Sequence, residues 1–345
     1  MNSTDMGIVG GTPGDLRLIG PGQGTYGGGL SLTKALRMSG GPLRQFLAKE
    51  FPAGAAPLRE AFRAKYFPGD RRAAERRVLS PPGSLGSEAG TVGTAIDQRL
   101  RLAFTAQAPL DEATLRGIEK VLLVVSDPRT AIALASVGRD LADLAKGLVE
   151  DMSTDDRSNS MGRARDDEDL LARVLVVAAW FAVAQRAGRA FNRTPLARTA
   201  ARRPDTFTLQ HALDLVNHDV VHDILLQFDL AGTGPLGELR AATTREVCHG
   251  GPVFSGMPAD GDLLVDGLLI DFKSASEPLK LPENDIHQLL GYLLLDTRDE
   301  YGITSVGWYL TRNATLATWS AEDFLDHLGA RKPLTRLRAD VLQAI

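Results

Sequence analysis

The chain has a single cysteine, Cys248, in 345 residues. That excludes a disulfide within the chain and any four-cysteine zinc or iron–sulfur site, so no iron–sulfur cluster is expected. Lysine is scarce, with 8 residues against 31 arginines, and histidine occurs 6 times. Overall basicity is lacking too: the formal net charge is −4. No global field therefore draws the chain to nucleic acid, although the local field of a cleft matters more than the sum. Long apolar runs are missing. The most hydrophobic stretch, 174–184, is about half the roughly 20 residues that a membrane span needs. The start, 1–29, is polar and Gly-rich, without the apolar core of a signal peptide. A cytoplasmic protein with no membrane partner is the expectation.

What is present is ordinary globular material, 43% apolar and 24% charged, enough for one large domain or one domain with a helical appendage. Arginine over lysine, with abundant Ala and Gly, is the composition of a GC-rich bacterial genome. Charge is uneven, since residues 1–105 carry 14 Lys/Arg against 8 Asp/Glu. Gly22, Gly24 and Gly27 spell GxGxxG, but a dinucleotide site needs a strand before it, a helix after it and a suitably placed acid. Residues 1–30 are read as a flexible Gly-rich segment. Residues 31–240 read as mainly helical. Spacings of three and four recur over 31–50, 56–66, 115–125, 130–143, 170–189 and 209–228. A helix is predicted from about 91 to 105, with Val92, Ile96 and Leu100 on one side and Asp97 beside them. The polar stretch 151–167 reads as an exposed loop.

From residue 246 the period shortens. Runs at 263–265 and 268–272 are β-compatible, and Asp266-Gly267 between them signals a two-residue type I′ turn. Such a turn sets the register: Val265 faces Leu268, Leu264 faces Leu269, Leu263 faces Ile270, and Asp262 faces Asp271. Opposed residues have Cβ atoms about 4.5–5.5 Å apart, so two carboxylates there repel unless a cation lies between them. Alternation puts Lys273 on the face of Asp271. Two carboxylates and an ammonium then share one small volume. Oxygen donors of this kind suit Mg²⁺, which lowers the pKa of a bound water and stabilises charge growing on a phosphate. Lys273 would orient or deprotonate that water, a proton transfer closed to the always-charged Arg. The plainer alternative is a surface hairpin with an ordinary salt bridge. A helix predicted over 283–296 sets Gln288 and Tyr292 on one face, four apart; an amide and a phenol can hold a phosphate or a water.

Asp262, then Asp271-Phe272-Lys273, then Gln288 and Tyr292 together resemble the PD-(D/E)xK nuclease superfamily. The nearest branch is the RecB-like one, with lambda-like and CRISPR-associated exonucleases. The matched part is about 258–320. The resemblance implies an α/β fold, a restriction-endonuclease-like mixed sheet flanked by helices, carrying here a large helical elaboration. It divides the chain into the flexible 1–30, the helical 31–240 that contributes the first core helix, and a nuclease core at 241–345. It implies Mg²⁺ or Mn²⁺ and hydrolysis of phosphodiester bonds in DNA. Asp262, Asp271 and the main chain of Phe272 would be metal ligands, Lys273 the catalytic lysine, and Gln288 and Tyr292 substrate-side groups. Gly261 stands where the name-giving Pro would be. The upstream G-x-x-x-H helix motif is matched by Gly93 to Asp97, ending in Asp, which is still an oxygen ligand.

Other groups carry competing readings. His218 and His222, four apart, would be zinc ligands in a hydrolase or simply surface histidines. Asp260 would oppose Lys273 and form an ion pair with it, or bind a metal directly; Glu246 and Glu283 are more distant candidates for a further acidic ligand. Trp308, Tyr309 and Trp319 read as core rather than as base-stacking platforms. Arg198, Arg202 and Arg203, in an expected loop at 193–203, would track a DNA backbone or be a solvated connector, as would the basic run 71–77. A nuclease-like DNA- or protein-binding scaffold without turnover is the second reading of the whole. The helical region offers a surface for a protein partner, and no oligomeric state follows from the sequence.

Overall fold

The computed structural model describes residues 30–69, 78–105, 110–150 and 165–345. The Gly-rich start, the GxGxxG triplet, the basic run 71–77 and most of the expected loop at 151–167 lie outside these. The described residues form an α/β protein built on one mixed sheet. Its strands are β1 (Cys248–Gly250), β2 (Leu263–Val265), β3 (Leu268–Lys273), β4 (Ser305–Leu310) and β5 (Thr315–Ser320), side by side in chain order. All neighbours pair antiparallel except β3 and β4, which are parallel. A parallel pair needs a crossover, and the helix over Glu283–Leu295 lies between these two strands in the chain.

Asp266 and Gly267 both have positive φ, 46° and 77°, as a type I′ turn requires. The observed pairs Leu263–Ile270, Leu264–Leu269 and Val265–Leu268 are those the turn dictates. Beyond Leu263 the chain leaves β3 and follows β1: Gly251 N–H donates to Asp262 C=O, Gly261 N–H to Pro252 C=O, and Val253 bridges Asp260. Asp260 therefore belongs to the β1–β2 excursion, not to the pairing with Lys273 that an unbroken hairpin would give. β1 itself, three residues long, has no periodicity to read.

Fourteen α-helices surround the sheet among the described residues: α1 (Leu32–Arg37), α2 (Pro42–Glu50), α3 (Ala56–Tyr66), α4 (Ala89–Phe104), α5 (Glu112–Val124), α6 (Pro128–Glu150), α7 (Arg165–Ala187), α8 (Pro195–Arg202), α9 (Leu209–Asp214), α10 (His218–Gly232), α11 (Pro235–Ala242), α12 (Glu283–Leu295), α13 (Ala321–His327) and α14 (Leu334–Ala344). Alternation along the strands splits the core in two. Leu263, Val265, Ile270, Phe272 and Tyr309 face a core shared with helices of 89–242. Leu264, Leu269, Val306, Trp308 and Leu310 face one shared with α1–α3 and α12–α14. The region 31–240 thus divides between the two layers, its first three helices packing with the C-terminal ones.

Three expected elements differ in local detail. The single helix over 31–50 is broken where Gly40 takes φ 71° and Pro42 opens a new first turn. That over 209–228 is broken by Asn217, whose side chain accepts from Asp219 N–H and starts α10 afresh. The arginine segment is a helix, α8, rather than a loop: Thr194 accepts from Ala197 N–H and Pro195 fills the first turn. The apolar stretch also proves longer than its densest part. Asp166–Arg193 is a 28-residue helical stretch whose most apolar 18-residue window, at mean hydropathy 1.6, is long and apolar enough to cross a membrane, yet 67% of that window is buried inside the fold.

Polar bonds tie the helical layer to the sheet. Arg312, after β4, makes two bonds to Asp223 of α10, at 2.9 and 2.8 Å, and both side chains are 2% exposed. Gln227, one turn on, donates to Asp223 and accepts from Ser274 and Thr311. Thr311 N–H in turn donates to Lys273 C=O, so α10 braces the end of β3. Removing one partner of a buried pair strands the other charge. Asp223→Ala is expected to cost about 3–5 kcal/mol in denaturant unfolding; the double change Asp223→Leu/Arg312→Met should cost clearly less. Equal losses would show that the ion pair is not the element that matters.

Candidate active site

The register of the β2–β3 hairpin places two carboxylates together, and the departure of β2 opens room beside them. At the position after the last β2–β3 pair, Asp262 turns its carboxylate onto β3, where Oδ2 accepts from Phe272 N–H at 2.7 Å. In an extended strand a residue's N–H and C=O point to the same side and alternate along the chain. Lys273 C=O is taken by Thr311 on the β4 side; Phe272 C=O therefore points to the side of Asp262, where β2 has left the sheet. Gly261 is fixed by packing: a Cβ there would meet Pro252, Phe254 and Leu269 at 3.0–3.3 Å. Its N–H is also bonded to Pro252. The position leaves no room for the proline of the name-giving motif.

Asp271 is 1% exposed and Lys273 19%, with Nζ 2.7 Å from Asp271 Oδ2. That ion pair engages Oδ2, while Asp271 Oδ1 has no hydrogen-bond partner among the described residues. Lys273 Nζ donates to Gln288 Oε1 at 3.2 Å, and Gln288 Nε2 donates to Tyr292 Oη at 2.6 Å. Tyr292 is buried, 4% exposed, and stacks on Phe254. It reaches the cluster through its bond with Gln288. A fourth acid completes this side: Asp285, one turn before Gln288 on α12, has Oδ1 3.9 Å from Lys273 Nζ. Asp285 takes the place in the ion-pair network that Asp260 was expected to hold.

Across the opening, α4 contributes Asp97 and Arg101. The Arg101 fork donates to both oxygens of Asp97, with Nε–Oδ1 at 2.9 Å. Its outer nitrogen lies 3.9 Å from Asp262 Oδ1. Arg101 was not singled out from the sequence, yet the i,i+4 spacing from Asp97 is the ordinary signature of a helical ion pair. Asp111 and Arg186 extend the cluster, paired at 3.1 Å, with Arg186 also donating to Thr94 of α4.

Four carboxylates, Asp97, Asp262, Asp271 and Asp285, thus surround two cations, Arg101 and Lys273. The excess is two negative charges. Burial, the largest influence, lifts Asp97, Asp262 and Asp271 from 3.8 to about 6 each, against the pull of Arg101 and Lys273. Burial would lower Lys273, but the charges of Asp271, Asp285 and Asp262 outweigh it and hold the ammonium above the usual lysine range. Without a neutralising ion Lys273 is a firm cation. Burial and the neighbouring aspartates keep the Tyr292 phenol protonated.

An excess charge of two, oxygen donors alone, and a buried Asp271 carboxylate whose Oδ1 has no hydrogen-bond partner among the described residues fit one hard divalent cation. No three His, Cys, Asp or Glu side chains among the described residues already converge as a ligand set; the Arg101 guanidinium stands against Asp97 and Asp262. The histidine pair gives no alternative. His218 and His222 are exposed, their rings 6.4 Å apart, at a cavity of about 290 Å³ lined also by Asp166 and Asp169. Asp169 is engaged by Arg173. Glu283 pairs loosely with Arg44 and His287 on the first turn of α12, and Glu246 is exposed. Trp308, Tyr309 and Trp319 are core residues. Arg198, Arg202 and Arg203 are exposed on α8 and just past its end. Comparison with protein-family models, with curated proteins and with solved structures finds no match to this chain.

The raised carboxyls bear on stability. Their folded pKa of about 6 exceeds the unfolded value, so the folded state binds protons more tightly and their contribution fades as pH rises through 6. Asp271→Asn removes one such group. Without divalent metal, the variant should melt a few degrees above wild type at pH 7.5, ~3 °C per kcal/mol, and the gap should shrink towards pH 5. Calorimetry in chelator checks this, and a gap constant from pH 5 to 7.5 would contradict it.

Proposed function

We propose that the chain is a metal-dependent nuclease that hydrolyses phosphodiester bonds in DNA, with a restriction-endonuclease-like core of the PD-(D/E)xK type. The observation that carries this reading is the juxtaposition of Asp262 and Asp271 beside Lys273 at the end of a two-residue hairpin, with two negative charges in excess. Asp262, Asp271 and the Phe272 carbonyl are the groups that would hold Mg²⁺ or Mn²⁺, with Asp97 available opposite. Bound there, such an ion would supply an activated water and neutralise charge on the phosphate.

The chain's own side chains divide the remaining work. Lys273 is held as a cation and aimed by Gln288, a position from which it can orient a water and stabilise the phosphate's developing charge. Tyr292 fixes the Gln288 amide, so the carbonyl end faces Lys273. Asp285 offsets Lys273 from the far side. DNA is the partner proposed, and the helical layer leaves a broad surface for a protein partner.

One observation favours a second reading, a nuclease-like binding scaffold without turnover: Arg101 already neutralises part of the acidic cluster. The two readings separate in one assay. Purified wild type, Asp271→Ala and Lys273→Ala are incubated with linear, circular and single-stranded DNA and Mg²⁺ or Mn²⁺. The nuclease predicts cutting by wild type and a loss of roughly 10²–10³-fold or more in either variant, with circular dichroism unchanged. Variants that cut at the wild-type rate would remove these residues from the site, and metal-independent binding without cutting would favour the scaffold.

A further inference from the structure

The guanidinium of Arg101 sits where a metal's neighbours would be expected. It takes both oxygens of Asp97 and approaches Asp262 at 3.9 Å, too far for a hydrogen bond. The structural pairs Arg312 with Asp223 and Arg338 with Asp296 are sealed, with side chains at most 5% exposed. Arg101, Asp97 and Asp262 are 14%, 13% and 15% exposed, so this pair can open without dismantling the core. Space beside it is preserved. A Cβ at Gly251, where φ is +67°, would press on the Arg101 outer nitrogen at 3.1 Å. On α4, Gly90 and Gly93 share the face of Asp97, and a Cβ at either would meet nothing within 4 Å. The helix surface beside Asp97 is thus free of side chains at these two positions.

We infer that Arg101 is an exchangeable counter-ion. In the metal-free site it neutralises Asp97 and Asp262; a divalent cation takes over those carboxylates, and the released fork then binds a phosphate oxygen of the nucleic acid. The inference rests on the nuclease reading. It follows from charge and geometry together. A dication satisfies two carboxylates better than a monocation in loose contact with one of them, and a freed guanidinium matches phosphate bidentately. Metal and substrate are thereby coupled, since the arginine that recognises the backbone is withheld until the ion arrives.

Arg101→Gln tests both halves in the full-length chain. Mn²⁺ binding is measured by calorimetry without nucleic acid, and oligonucleotide binding with and without Ca²⁺ by fluorescence anisotropy. The expectation is Mn²⁺ affinity raised on the order of tenfold, because a competing cation is gone. Oligonucleotide affinity should fall on the order of tenfold with Ca²⁺ present and hardly at all without it. Unchanged Mn²⁺ affinity overturns the exchange alone, and an equal loss of oligonucleotide affinity with and without Ca²⁺ overturns the release. Failure of wild type and variant alike to bind Mn²⁺ overturns the metal site itself. Should Arg101→Gln misfold, the wild-type arginine Nε–H resonance, assigned by its loss in Arg101→Lys, provides the readout. It should be protected from exchange in chelator and lose protection as Mg²⁺ is added; protection unaltered at saturating Mg²⁺ overturns the exchange.

Discussion

Two carboxylates held side by side by a two-residue turn repel one another, and much of this end of the molecule is organised around that repulsion. The turn fixes the register up to Leu263 and Ile270, because a slip of one residue would turn the hydrophobic set of β3 to the wrong face. The Phe272 N–H then holds the Asp262 carboxylate beside β3. Leu264 and Leu269 anchor one core, Leu263 and Ile270 the other, so the register is held from both sides. Relief has to come from neighbouring cations. Lys273 supplies it from the next position on the same face, Asp285 and Gln288 hold Lys273, and Arg101 supplies it from α4. Burial raises Asp262 and Asp271 to about 6, and with all four carboxylates ionised an excess of two negative charges is left for a cation to meet.

The helical layer is part of the same solution. α4 brings Asp97 and Arg101 to the site, and its Arg99 is locked to Glu168 of α7. α10 braces the residues that follow Lys273 through Gln227 and Asp223. The helices that dominate the chain therefore position both ends of the cluster, while the short sheet supplies the carboxylates. Trp180 adds a further fixed point, donating to Glu88 just before α4.

The hairpin half of the site was legible in the sequence because its information is local. A type I′ dipeptide and strict alternation suffice to bring Asp262, Asp271 and Lys273 together, and one helix period puts Gln288 and Tyr292 on one face. That the two groups meet was implied only by the resemblance. The other half was not, for physical reasons. Asp97 was recognisable as an acid on a helix face, but its bond to Arg101 and the nearness of Arg101 to Asp262 depend on how α4 lies across β1, a long-range packing choice. Asp285 lay in plain view one turn before Gln288; its role depends on where the Lys273 amine ends, which no spacing gives. Asp260 misled because the register was extended past the point where β2 follows β1. Breaks at Asn217 and at Gly40 to Pro42 turned on capping and glycine geometry, weak signals inside strongly periodic runs.

The most direct test of the account is anomalous diffraction from crystals of the wild-type chain soaked in Mn²⁺. The account predicts one manganese peak per chain within bonding distance of Asp262 and Asp271, with the Arg101 fork withdrawn from Asp97. A manganese peak at His218 and His222 with none at the aspartates, or Arg101 still bridging Asp97 and Asp262 at saturating Mn²⁺ with no peak between them, would contradict it.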